Sequence, residues 1–198
     1  MTRPKLIWLA AISVAIVLFA SMENSPPADK SLEAARLNNL GAAYMNQQSF
    51  EKAFKNFEDA AKLDPKLEIA RINQGIAFLN LGRIEAAQPL LEQAVKSDPR
   101  DPHAWYNLGL LDKNTGDVTA AIDAFRHVTD IDANDPDTWY FLGAVYSQNK
   151  QYSDAIAAFQ HALKLNPFHA SAQFGLSRAY QQSGDLTQAR DNPNCAEA

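Results

Sequence analysis

An all-α solenoid of stacked antiparallel helix pairs, entered through an N-terminal transmembrane or signal helix, is the architecture that this sequence of 198 residues predicts. Two ladders of small residues predict the solenoid: Ala53, Ala87, Ala121, Ala155 and Ala189 stand 34 residues apart, and Gly41, Gly75, Gly109 and Gly143 repeat at the same interval on another offset. A third observation, the apolar run from Leu6 to Met22 broken only by Ser13 and Ser21, predicts the leading helix. Hydrophobic residues make up 46% and charged residues 21%, which fits a folded core and excludes a multi-pass membrane protein or a fully disordered chain. The 18 Lys plus Arg are outnumbered by 23 Asp plus Glu and form no cluster, so nucleic acid is not an expected partner. A single cysteine, Cys195, excludes an internal disulfide and a cysteine-rich zinc site.

Residues 1–22 read as a signal anchor or signal peptide, because Arg3 and Lys5 precede the apolar run and Glu23 follows it. Its 17 residues would span roughly 26 Å as a helix, just short of the ~30 Å hydrocarbon core. Ala20 suits a cleavage site, whereas the large Leu18 two residues earlier does not, and an uncleaved anchor is the favoured reading. The basic flank places the N-terminus in the cytoplasm and the remainder outside it, in the periplasm if the chain is bacterial, or secreted there if the signal is cleaved. Residues 23–33, with Pro26 and Pro27, form a tether.

From Ala34 the chain divides into units 34–67, 68–101, 102–135 and 136–169 and an incomplete fifth, 170–190, with a tail over 191–198. Large residues keep fixed offsets from the two ladders. Leu40, Leu108 and Leu142 precede their glycines by one residue, and Trp105 and Trp139 by four. Tyr44 and Tyr146 follow by three, and Phe57, Phe125 and Phe159 follow the alanines by four. Small residues belong where two antiparallel helices approach most closely, and the aromatic residues fill the space beside them. Pro65, Pro99 and Pro167 end the second helix of a unit. Several positions depart from the pattern: Arg71 and Gln74 in the second unit, Asp112 and Ala133 in the third, and Ser177 in the fifth.

This order of small, aromatic and proline positions over Ala34 to about Arg190 resembles the tetratricopeptide repeat family. The resemblance implies a right-handed solenoid of about four and a half units whose first helices line a concave, peptide-holding groove. Carried onto this chain, the groove positions include the row Asn39, Asn73 and Asn107, whose amides can pair with a peptide backbone of any sequence. They also include Ile69, Ile72 and Ile76, which share one helical face by their spacing of three and four, and Tyr106, Leu110 and Tyr140, which continue an apolar patch. Lys113, Asp137 and Arg178 are the few charges expected there. Family members that bind chaperone tails use a basic clamp across three units. At those positions this chain has Asn38, Ala42, Asn73, His103 and Asn107, one match in five, so that specificity is not expected.

No phosphate-binding loop, zinc-protease pattern or nucleophile elbow occurs in the sequence. His127 and His161 recur at one outer position and read as solvated surface, and no metal or cofactor is expected. The resulting expectation is a non-catalytic protein-interaction scaffold, a membrane-tethered adaptor that binds a peptide or helix of a partner protein during complex assembly. Two alternatives accompany it. One is the substrate-recruiting part of an enzyme system such as a glycosyltransferase or peptidase; the other is a structural protein that self-associates through the incomplete fifth repeat.

Overall fold

The computed structural model describes residues 29–185 together with 187 and 188. The expected anchor, most of the tether and the tail over 191–198 lie outside them. Among the described residues there is no strand, and no helix is long and apolar enough to cross a membrane. Among the described residues nine helices follow in order: α1 Lys30–Asn46, α2 Phe50–Leu63, α3 Glu68–Asn80, α4 Ile84–Ser97, α5 Pro102–Thr115, α6 Val118–Ile131, α7 Pro136–Gln148, α8 Tyr152–Leu165 and α9 Ala170–Ser183. Each packs on the next, and α1 also meets α3, α3 meets α5, and α7 meets α9. The odd-numbered helices therefore form one layer and the even-numbered helices the other, as a helix-pair solenoid requires.

The 34-residue spacing is explained by a contact that recurs in each unit. A methyl group added at Gly41 would stand 2.5 Å from the Phe57 ring, at Gly109 3.0 Å from Phe125, at Gly143 2.8 Å from Phe159, and at Gly75 2.9 Å from Leu91. The large residue of the second helix thus lies directly against the bare backbone of the first. Phe57, Phe125, Phe159 and Leu91 are all fully buried there. The turn inside each pair also repeats: Gln48, Gly82, Gly116, Lys150 and Gly184, again 34 residues apart, all take positive φ. Glycine suits that backbone, whereas Gln48 at φ 56° and Lys150 at φ 59° adopt it at a steric cost.

The turn between units is closed by side chains. Asp64, Asp98, Asp132 and Asn166 each accept a hydrogen bond from the backbone N–H two residues on, at 2.9–3.1 Å. Asp101 and Asp135 cap α5 and α7, both of which begin with proline. A further latch joins the third, fourth and fifth units each to the one before it. The indole N–H of Trp105 donates to the Pro99 carbonyl and that of Trp139 to the Ala133 carbonyl, both at 2.9 Å, and the Gln173 amide reaches the Pro167 carbonyl at 2.7 Å from the same position of the fifth unit. His127 and His161 are exposed, as expected, yet His127 stacks on Trp105 and His161 lies tilted against Trp139, with ring centroids 4.2 and 4.3 Å apart.

Candidate functional site in the concave face

Tyr106, Tyr140 and Phe141 of the odd-numbered layer form, with Phe125 and Phe159 of the other layer, a run of aromatic rings that crosses unit boundaries. Tyr106 of α5 meets Phe125 and Phe141 edge-on at 5.9 and 5.8 Å, Phe141 stacks on Phe125 at 5.6 Å, and Tyr140 lies 5.1 Å from Phe141 and 6.1 Å from Phe159. Helices α5 and α7 make fewer close approaches to each other than the other neighbouring odd-numbered helices do. A cavity of about 330 Å³ opens there, lined by His103, Tyr106, Asn107, Asp132, Asp135 and Asp137. A second cavity of about 340 Å³ lies between α7 and α9 on a floor of Tyr140, Ala144, Phe159 and Gly175, with Phe174 and Arg178 at its wall.

The two cavities differ in charge. The α5–α7 cavity is acidic, and it corrects the expectation of a groove with few charges. Asp132 and Asp135 belong to the turn before α7, where the sequence shows only turn and cap chemistry, yet that turn folds to the cavity edge. Burial, then Asp137 and Asp135, push the Tyr106 hydroxyl up to about 12, so the phenol stays neutral and can donate a hydrogen bond. His169, at the start of α9, accepts the Ala172 N–H at Nδ1. Its proton is therefore on Nε2, which donates to the Asp137 carboxylate at 3.0 Å and ties α9 to α7. Among the described residues no carboxylate lines the second cavity.

Of the residues expected in the groove, Tyr106 and Asn107 come together in the first cavity and Tyr140 forms part of the second. Leu110 is half-buried against the cluster of Ile122, Phe125 and Leu142. The assignment of Ile72 as a contact residue is corrected, because its side chain is only 2% exposed. The helix face that carries it is the one α3 uses to pack on Leu91 of α4 and Leu111 of α5. Ile76 is half-buried at the edge of that core, and Ile69 is 39% exposed. The asparagine row is not a uniform ladder. Asn39 is exposed, Asn73 spends its amide N–H on Asn38 across the unit boundary at 2.9 Å, and Asn107 donates to the His103 carbonyl of its own helix at 2.8 Å.

The Phe159 floor of the second cavity was not among the expected site residues. Its signal is Gly175 itself, which stands where earlier units carry asparagine or Phe141 and so leaves space above the Phe159 ring. Among the described residues no group of three His, Cys, Asp or Glu side chains is placed to hold a metal ion.

Compared with known proteins, the chain matches models described as Tetratricopeptide repeat over residues 34–67, 72–136, 136–169 and 170–191. A search of curated protein sequences finds no match. Among solved structures it resembles a crystal structure of MamA protein, at 22% identity and TM-score 0.72 over 83% of this chain and 90% of that one. MamA 41-end from Desulfovibrio magneticus RS-1 aligns at 20% identity and TM-score 0.70 over 86% and 99%. Pseudomonas aeruginosa pilF aligns at 20% identity and TM-score 0.75 over 84% and 76%. At these identities the likeness is one of fold.

Proposed function

The chain belongs to the tetratricopeptide repeat family of protein-interaction scaffolds, and from that premise we propose that it is a membrane-tethered adaptor whose concave groove holds a peptide or helix of a partner protein during assembly of a larger complex. The observation that carries this reading is the inner face from Tyr106 to Phe174, where aromatic side chains line two adjacent cavities sized for side chains. Phe174 is 54% exposed, and half-open aromatic rings of this kind are the groups that yield most when a partner covers them. The tether is supported by the apolar run over residues 6–22 behind Arg3 and Lys5, which also supports an extracytoplasmic solenoid. The family and the chemistry of the groove point to binding and not to catalysis.

The test is photocrosslinking of the full-length chain in its native membranes from His103 and Phe174 in the groove, with the exposed His127 on the opposite layer as control. Capture of one non-self protein through one contiguous segment from both groove positions, and not from His127, is the expected result. Equal capture from His127, or recovery of lipid and self alone, refutes the adaptor.

A second reading, self-association, is favoured by apolar residues at the two ends of the described solenoid. Phe168 is 90% exposed before α9, and Leu40 is 37% exposed although Leu142 and Leu176, in the same register, are 3% and 7% exposed. Light scattering decides it, since a monomer at high concentration removes that reading.

A further inference from the structure

The cavity between α7 and α9 has hydrogen-bonding groups that the chain leaves unused, and we propose that it seats a large apolar side chain of the partner segment with a side-chain carboxylate immediately beside it. This rests on the groove being the partner-binding surface. It adds which chemistry is read there.

The apolar half of the argument is shape. At about 340 Å³ the cavity is at the small end of ligand sites, which span roughly 300–1,000 Å³, so it suits one or two side chains. Its floor is the buried Phe159 ring together with Ala144 and Gly175. A methyl group at position 175 would stand 2.6 Å from Phe159, so no larger residue could occupy that place without filling the cavity and displacing its floor. Phe174 at the wall offers a ring face that an incoming apolar group would cover.

The polar half is charge and unmet hydrogen bonding. The Ser147 hydroxyl is buried at the cavity wall with no hydrogen-bond partner among the described residues. Arg178 is exposed and forms no ion pair among the described residues, and the Ser171 hydroxyl and the Gln148 and Gln182 amides also line the cavity. A guanidinium, two serine hydroxyls and two amides, with no carboxylate among the described residues, form a donor-rich site that complements an anion, and a guanidinium matches a carboxylate in geometry. The acidic cavity one unit away would repel the same group, so the two cavities place a carboxylate at the α9 end of the groove. A side chain of a continuing segment fits better than a chain terminus, because the cavity holds a single cation and the groove continues past it toward α5.

The experiment uses the full-length chain in detergent and three labelled twelve-residue Ser/Gly peptides that carry a central Phe-Glu, Phe-Gln or Phe-Lys pair, read by fluorescence anisotropy. Phe-Glu is expected to bind about fivefold more tightly than Phe-Gln, the upper range for one half-exposed ion pair, and Phe-Lys more weakly than both. Arg178→Gln, at an exposed position where both residues are good helix formers, is expected to remove the preference for Phe-Glu over Phe-Gln. Binding of Phe-Lys as tight as Phe-Glu, a preference that survives Arg178→Gln, or no binding of any of the three overturns the proposal. If crosslinking from His103 and Phe174 still captures a partner segment, that failure is confined to the cavity; if capture fails as well, the groove reading falls with it.

Discussion

Asp112 is a buried carboxylate in a position that Tyr44, Tyr146 and Tyr180 occupy in other units, and it sets a measurable pH dependence. Burial, reinforced by the neighbouring charges of Asp117 and Glu92, raises its carboxyl from 3.8 to about 6. The folded state therefore holds the proton more tightly than the unfolded chain does. The associated stability is complete below pH 3.8 and is lost as pH rises through about 6, so at pH 7.5 the folded protein carries the full cost of a charged, poorly solvated group. The rise from 3.8 to about 6 corresponds to about 3 kcal/mol, and solvent screening on the open side of the site reduces this to about 1–2 kcal/mol. Asp112→Asn keeps the shape and removes the charge. In urea unfolding followed by helical circular dichroism, the variant is expected to exceed the parent by about 1–2 kcal/mol at pH 7.5 and to match it at pH 3.5. An equal difference at both pH values, or a variant weaker at pH 7.5, would refute the assignment of the cost to ionisation.

Lys150→Gly relieves a left-handed backbone at φ 59°. It should gain about 0.5–1 kcal/mol after the greater entropy of the unfolded glycine is deducted, visible as a higher melting temperature, whereas a loss would show that the turn carries no strain. Gly143→Ala places a methyl group 2.8 Å from Phe159, and that ring cannot retreat because Gly175 lies against it as well. Overpacking of about 1–3 kcal/mol outweighs the gain of about 1 kcal/mol in helix propensity, so a net loss is expected in the same unfolding assay and an unchanged midpoint would contradict the packing. Trp139→Phe removes the hydrogen bond to the Ala133 carbonyl and shrinks the surface stacked on His161. It should cost about 1 kcal/mol, with amide hydrogen exchange rising at the start of α7; uniform exchange along the chain would place the latch elsewhere.

The solenoid was legible because its governing contact is local: a glycine and the ring that covers it are 16 residues apart in one unit, and the sequence repeats both members of the pair. The groove was legible only in outline. The spacing of Ile69, Ile72 and Ile76 identifies a helix face, but nothing in that spacing says whether the face meets solvent or the next helix pair, and Ile72 went to the core. Asn73 finds Asn38 35 residues away and His169 finds Asp137 32 residues away, pairings that depend on how consecutive units stack. The acidic edge was hidden for a different reason. Asp132 and Asp135 fully account for themselves as turn and cap residues, so their second position beside Tyr106 leaves no mark in the sequence.

Phe159 links stability to binding in a way that constrains how this groove can vary. Its ring is 2% exposed and is held between Gly143 and Gly175, yet the same ring is the floor of the α7–α9 cavity. A floor made of core residues is already ordered before a partner arrives, so little conformational entropy remains to be lost there on binding. A change at Phe159, Gly143 or Gly175 therefore alters the packing of the solenoid together with the cavity. Changes at Phe174 and Arg178, which project from the outer side of the cavity, alter what is bound while leaving the helix pairs intact. On the proposed reading, specificity would be carried by exposed side chains of α9, set on a floor that also packs the solenoid.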